Sequence, residues 1–261
     1  MATALIAGLV TGQGRDTQVH VVDPNPEALE RLAAQYGATT AGGIDATVAA
    51  VDVIVLAVKP QQMREVASAL APHLTGGPLV LSIAAGIRGA DLSRWLGGYG
   101  AIVRAMPNTP ALIKQGITGL VALAGVSDTQ RTAADAVLRA VGQTVWLDDE
   151  ALIDPVTAVS GSGPAYVFYF LEAMVAAAQE MGLTAQQGRE LALATFAGAT
   201  QLAAQSDDTL EVLRQRVTSK GGTTHAAITS MEGAGVKAAI VEAMKAAAAR
   251  GRELGDELGA D

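Results

Sequence analysis

"QVHVVDPNPEALERLAAQYG", Gln18–Gly37, changes rhythm part-way along. Gln18–Asp23 is short and rich in β-branched residues, which predicts a strand; from Pro26 the apolar residues fall at helical spacing until Gly37, a residue suited to end a helix. Working outward, "DVIVLAV" (Asp52–Val58), "PLVLSIA" (Pro78–Ala84) and "AIVRAM" (Ala101–Met106) are predicted strands, and "QQMREVASALAPHL", entered after Pro60, is a predicted helix. Strand, helix and strand repeated in this way imply a doubly wound parallel sheet with helices on both faces, an α/β Rossmann-like domain. "GITGLVAL" and "GQTVWL" add strands on its far side. The chain opens on "MATALIAGLVTGQG", which already reads as helix, so the first strand of such a fold is absent from this sequence.

After Leu152 the strand signals stop. "SGSGPAYVFYFLEAMVAAAQEMG", "TAQQGRELALATFAGATQLAAQ", "DTLEVLRQRV" and "GAGVKAAIVEAMKAAAARGREL" are helices punctuated by Gly, Ser and Asp. We therefore expect two domains, residues 1–150 binding a dinucleotide and residues 151–261 forming an all-α domain for substrate binding and dimerisation. Between Pro164 and Ala178 the first of these helices is apolar almost all round, with Tyr166, Phe168, Tyr169 and Phe170 among its residues. Such a helix needs cover on most sides. The remaining helices are too few to supply it, which predicts a homodimer; a core helix of a monomeric bundle is the other reading.

Composition narrows the function. The 261 residues carry a net charge of −8 and no clustered Lys or Arg, which argues against a nucleic-acid partner. Mean hydropathy is +0.30, but Gly, Pro or charge interrupts every apolar run before it could span a bilayer, so no membrane role is expected. With no cysteine there is no disulfide, thiolate–metal site or cysteine nucleophile, which suits a cytoplasmic protein. The three histidines share no metal-ligand spacing, and no metal is expected. A small-molecule substrate and a borrowed redox cofactor fit best.

A doubly wound sheet binds nucleotides at the carboxyl ends of its strands. Asp23, closing the first predicted strand, stands where an acid contacts the adenosine ribose; a plain turn residue in "DPNP" is the other reading. In "AVKP" (Ala57–Pro60), Val58, Lys59 and Pro60 follow a buried strand and are expected to face the same edge, a solvated helix-start lysine being the equal reading of Lys59. In "RAMPNTPA" (Arg104–Ala111), the prolines fix an extended loop that can hold Met106 and Asn108 against a cofactor; a rigid interdomain turn is the other reading. "VTSKGGTTHAAI" (Val217–Ile228) sets Gly221 and Gly222 before a helix start, with Ser219, Thr223 and Thr224 around them. Free backbone N–H groups and the positive end of a helix dipole make that place an anion site. A simple Ser/Thr helix cap is the competing reading.

Taken together, "RAMPNTPA", "VTAVSGSGPAY" (Val156–Tyr166) and "VTSKGGTT" resemble the motifs of the pyrroline-5-carboxylate reductases, and "MATALIAGL" and "AVKP" extend the resemblance over essentially the whole chain. The resemblance implies hydride transfer from NADPH or NADH to the C=N carbon of a cyclic imino acid, giving proline. It makes the anion a substrate carboxylate, bound by Ser219, Gly221, Gly222, Thr223 and Thr224, with the Thr224 hydroxyl near the imine nitrogen as the catalytic contact. Ser162 and Gly163 then stand at a helix start near the nicotinamide, and Asn108 bonds its amide end. The family carries a strand and a "GxGNM"-like turn before its first helix; we expect these upstream of Met1, or else a chain with a crippled phosphate site acting only as a dimeric helical module. Asp23 and the lack of a basic residue in "DPNPE", where Asn25 is the one useful donor, favour NADH over NADPH on local electrostatics and leave both open. A 3-hydroxyacid dehydrogenase of similar architecture is disfavoured, since those enzymes use a lysine on the linking helix and Pro164–Met181 has none.

Overall fold

The structure, a computed structural model, describes residues 1–12 and 17–260. It divides into two compact units, Met1–Gly163 with the chain from Ala246 onward, and Pro164–Lys245. The first unit opens with α1 (Ala2–Gly12), β1 (His20–Val22), α2 (Pro26–Tyr36), β2 (Thr39–Ala41), β3 (Val53–Leu56) and α3 (Met63–Leu70). It continues through β4 (Leu79–Ser82), α4 (Gly89–Trp95), β5 (Ile102–Met106), β6 (Gly116–Ala122), α5 (Asp128–Arg139), β7 (Gly142–Trp146) and the short α6 (Ile153–Val156). Gln13 and Gly14, which the sequence joins to the first helix, lie outside the described residues.

The opening stretch folds as its residues dictate. The Asn25 side chain accepts from the Glu27 and Ala28 amides, Pro26 starts α2, and Gly37 ends it in the left-handed conformation at φ 67°. α2 buries Leu29 and Leu32. β1 and β2 pair in parallel as a sheet of their own, while β3–β4–β5–β6–β7 form a second sheet in that order.

β3, β4 and β5 are parallel, but β6 runs antiparallel to β5, and β7 is parallel to β6. The doubly wound parallel sheet read from the sequence holds, with one antiparallel step, between β5 and β6, at its far side. A parallel return needs a crossover of a dozen or more residues, and β5 and β6 are joined only by Pro107–Gln115, folded into a tight turn with Lys114 at φ 59°. The doubly wound character survives. On one face Leu56, Val80 and Ile102 meet α3 and α4 through Met63, Ala67, Leu70, Leu92 and Trp95. On the other, Leu79, Leu81, Val103, Ala105 and Leu120 meet α1 and α5 through Ala4, Leu5, Ala134 and Leu138. Alternate residues of one strand thus enter opposite cores, which is why β4 reads as a continuous apolar run.

The second unit is helical: most of α7 (Gly163–Glu180), then α8 (Ala185–Ala204), α9 (Leu210–Arg216), α10 (Thr223–Gly233) and the start of α11 (Val236–Gly259). Gly188 lets α8 approach α7, since a Cβ there would lie 2.9 Å from that of Ala178. Arg214 of α9 pairs with Glu232 of α10 at 3.0 Å. α7 buries only Ala178 within the chain, leaving Phe168 59% and Tyr169 73% exposed. No helix among the described residues is long and apolar enough to cross a membrane.

One polar cluster locks α5 to β7. Asp135 accepts from Thr144 Oγ1 at 2.6 Å, Trp146 Nε1 at 3.3 Å and the Arg139 guanidinium. Partial burial favours the neutral acid, but these donors outweigh it and hold the Asp135 carboxyl below its ordinary value of 3.8. Its stabilising effect is therefore present above pH 3.8 and is lost as the pH falls through the lowered value. Asp135→Asn is expected to lower the melting temperature at pH 7, with the deficit against wild type shrinking on acidification; an equal deficit at pH 7 and pH 3 in thermal melts would refute the linkage.

Candidate active site

Three neighbouring parallel strands, β3, β4 and β5, deliver their carboxyl ends to one edge of the first unit, the edge where doubly wound folds place ligands. After β3, Ala57 is exposed, Val58 half-buried, Lys59 exposed and Pro60 half-buried; the Lys59 carbonyl accepts from Gln62 N at 2.9 Å. After β4 come Ile83, Ala84, Ala85 and Gly86, small for the most part, with Gly86 at φ 74°. After β5, Met106 is half-buried and Pro107 buried.

Asn108 occupies a different environment from the one its sequence position suggests. It is 8% exposed, its Oδ1 accepts from Ile117 N at 3.0 Å and its Nδ2 donates to Ser160 Oγ at 3.4 Å. Its side chain thus ties the β5 loop to β6 and to the segment leading into α7. The packing beside it is close: a Cβ on Gly161 would lie 2.5 Å from the Met106 Cε.

That segment differs from a fresh helix start. α6 runs into a π-turn at Thr157–Gly161, closed by Ser162 N on the Thr157 carbonyl at 2.8 Å, and α7 follows from Gly163. Ser160 and Ser162 are therefore part of a continuing helical path, and Ser162 does not stand at a fresh helix start as the sequence suggests. π-turns inside helices concentrate at functional sites. Ser162 and Gly163 are both half-buried.

At the end of β1, Asp23 is half-buried and accepts from Asn25 N at 2.8 Å through Oδ1. The Asn25 carbonyl oxygen is committed to the start of α2. Asp23 and Asn25 thus stand together, the acid presented and the amide engaged as a cap. An Asp carboxylate suits ribose hydroxyls, an exposed lysine such as Lys59 suits a pyrophosphate, and Ala84, Ala85 and Gly86 after β4 carry little side chain, so the residues present fit a dinucleotide.

In the second unit, Ser219, Lys220, Gly221, Thr223 and Thr224 are exposed and Gly222 is half-buried. Gly221 takes φ 77°, the turn that a residue with a Cβ resists, and Gly222 is the N-cap of α10 with no side-chain cap bond. The Gly222 amide, expected to face an anion, instead donates to the Ser219 carbonyl at 3.0 Å and closes the turn. The amides of Thr223 and Thr224 lie in the first helical turn, where no carbonyl of α10 itself can receive them. An uncapped helix start preceded by a left-handed glycine is an arrangement for binding an anion through backbone N–H groups. Among the described residues no group of three or more His, Asp or Glu is placed to hold a metal.

Residues 150–254 match the family model described as pyrroline-5-carboxylate reductase dimerisation, and residues 1–86 match one described as NADP oxidoreductase, coenzyme F420-dependent. The pyrroline-5-carboxylate reductase of Pseudomonas aeruginosa is 46% identical over 259 residues, covering 99% of this chain and 95% of its own. The chain belongs to the pyrroline-5-carboxylate reductase family. The Haemophilus influenzae reductase is 40% identical over 97% of this chain and 94% of its own. Among solved structures, the Coxiella burnetii reductase superposes with a TM-score of 0.91 at 36% identity, covering 97% of this chain and 94% of its own. The Plasmodium falciparum reductase, solved with NADP bound, superposes with a TM-score of 0.81 at 26% identity over 98% of this chain and 96% of its own. The match to this reductase family runs through both halves, which sets aside a helical module acting alone. The family is one of NAD(P)-dependent oxidoreductases, with a Rossmann-like domain followed by a helical dimerisation domain.

Sequence reasoning missed two parts of the reductase. The loop after β4 carries no charged or hydroxyl signal, only "AAG" after a buried strand. Glu150 is the second: its Oε1 accepts from Gly89 N and from Arg104 Nη1, each at 2.6 Å, and so joins the start of α4 to a β5 arginine whose side chain is 7% exposed. An arginine in the middle of an otherwise apolar strand is the signal that a partner acid exists, though not which one. Asn108→Ala is expected to lower unfolding free energy by about 1–3 kcal/mol, because it orphans the Ile117 amide, and Asn108→Asp by less, because it keeps the acceptor. Denaturant melts check the order, and equal losses in the two variants would show that the Oδ1 bond is not what matters.

Proposed function

We propose that the chain reduces 1-pyrroline-5-carboxylate to L-proline with NADPH or NADH, the last step of proline synthesis, and does so as a homodimer in the cytoplasm. Family membership over nearly the full length carries this reading. Two features of the structure support it: a strand-end edge suited to a dinucleotide, and an uncapped helix start suited to a small carboxylate. The nucleotide-binding part is assigned to residues 1–150, and the substrate-binding and dimerising part to residues 151–261.

When bound, the dinucleotide supplies the hydride. The chain's own residues position and exclude. Asp23 accepts hydrogen bonds from the adenosine ribose, Val58, Lys59 and Pro60 flank the dinucleotide, and Met106, Asn108, Ser162 and Gly163 shape the nicotinamide end, Asn108 chiefly by fixing its loop. In the helical unit the Thr223 and Thr224 amides hold the substrate carboxylate, Ser219 adds a hydroxyl, and Gly221 and Gly222 form the turn that exposes these groups. The Thr224 hydroxyl steadies the imine N–H. A protonated imine is already electrophilic, so placement accounts for most of what the protein contributes.

The apolar faces of α7 and α8, with Tyr169, Phe168 and Leu191 exposed within one chain, support burial against a second copy. Thr224→Ala should lower kcat about two- to tenfold, the worth of one hydrogen bond, in a dinucleotide-oxidation assay with the cyclic imine; an unchanged rate would remove Thr224 from the reaction. Asp23→Ser should raise kcat/KM for NADPH relative to NADH by about tenfold, through lost repulsion of a 2′-phosphate. A ratio equal to wild type would place the ribose away from Asp23.

A further inference from the structure

The carboxyl-terminal part of α11 groups with the first unit, where it meets Asp154 of α6 and, over most of its length, Gly86–Arg94, which runs from the loop after β4 into α4. Three glycines at successive turns of α11 make the approach possible. A Cβ on Gly251 would stand 3.1 Å from Asp154 Oδ1, one on Gly255 3.0 Å from Arg88 Nε, and one on Gly259 2.4 Å from Asp91 Oδ2. Between them Leu254 and Leu258 close on Gly86, whose own missing Cβ would lie 3.3 and 3.0 Å from their side chains.

Polar contacts fix the register. Arg88 Nη2 donates to Asp256 Oδ1 at 2.6 Å and to the Arg252 carbonyl at 3.3 Å, and Arg94 Nη2 donates to the Gly259 carbonyl at 2.9 Å. The same segment is held from its other side, where Gly89 N donates to Glu150. Gly86 at φ 74° makes the loop a turn that only a glycine adopts without strain.

We propose that the end of α11 is a strut that sets the position of the β4–α4 loop, and through it the affinity for the dinucleotide, with Arg88 and Asp256 as its positioning pair. The loop leaves β4 between the loops that follow β3 and β5, so it lies at the centre of the edge assigned to the cofactor; in this the proposal rests on the function proposed above. Neither Arg88 nor Asp256 is assigned a contact with substrate or cofactor. They act through the backbone of Gly86–Ile87.

Direct titration of the purified protein with NADPH and NADH, followed by nucleotide fluorescence, tests the strut without any turnover. Asp256→Ala should weaken dinucleotide binding about two- to fivefold, the range expected for one largely exposed ion pair, and raise KM for dinucleotide equally while leaving kcat and KM for the imine near wild type. The exchanged pair Arg88→Asp with Asp256→Arg should recover most of the loss. Gly255→Leu, which forces the Arg88 guanidinium aside, should weaken binding further. Dissociation constants equal to wild type in both Asp256→Ala and Gly255→Leu would overturn the proposal, as would parallel falls in kcat and both affinities that the exchanged pair does not restore. If wild type itself binds neither nucleotide, the functional reading fails instead, and the two failures stay distinct.

Discussion

Burial of both faces of β4 is the constraint on which the first unit depends. Leu79, Val80, Leu81 and Ser82 are all buried, alternate side chains entering different cores, so helices must cover the sheet on either side and the chain must cross it repeatedly. With both faces closed, the strand ends are where backbone and short loops remain available to a ligand. The candidate cofactor edge follows from the packing before any catalytic residue is considered.

Polar groups then fix what packing leaves free. Arg104 is carried into a nearly buried position by a strand that has no choice of face, and Glu150 answers its charge while also holding the start of α4. Asn108 does comparable work on the other side of β5, joining three segments through one amide. Breaking such an ion pair costs more than the pair contributes in net stability, since it leaves a charge without its partner in a poorly hydrated place. In the helical unit the balance differs: α7 and α8 keep large apolar side chains exposed within one chain, so its packing is incomplete when a single protomer is considered.

Much of this was legible in the residues. The βα alternation, the α2 boundaries at Pro26 and Gly37, the helical second half and the glycine turn before α10 all come from short-range chemistry that one sequence carries. The antiparallel step into β6 was not, because it depends on the length and turn of Pro107–Gln115 rather than on any strand's composition. Nor was the role of Asn108 or the Gly222 amide: a side chain or N–H in a loop reads as free until the partner, Ile117 or the Ser219 carbonyl, is brought to it by the fold. Glu150 lies in a run of acids, "DDEA", where nothing local separates the one that meets a buried arginine from those that meet water.

The π-turn at Thr157–Gly161 has a consequence for sequence variation. A π-turn accommodates one residue more than an α-helical turn would, so loss of any single residue there could be absorbed by reversion to regular helix with every backbone bond still made. Side chains downstream in α7 would then keep nearly the same facing around its axis, because the π-turn and the shorter α-helical turn complete nearly the same rotation. Loss of one residue between Thr157 and Gly161 should therefore be better tolerated than loss of one from the regular turns of α7, which would turn everything beyond it by about 100°.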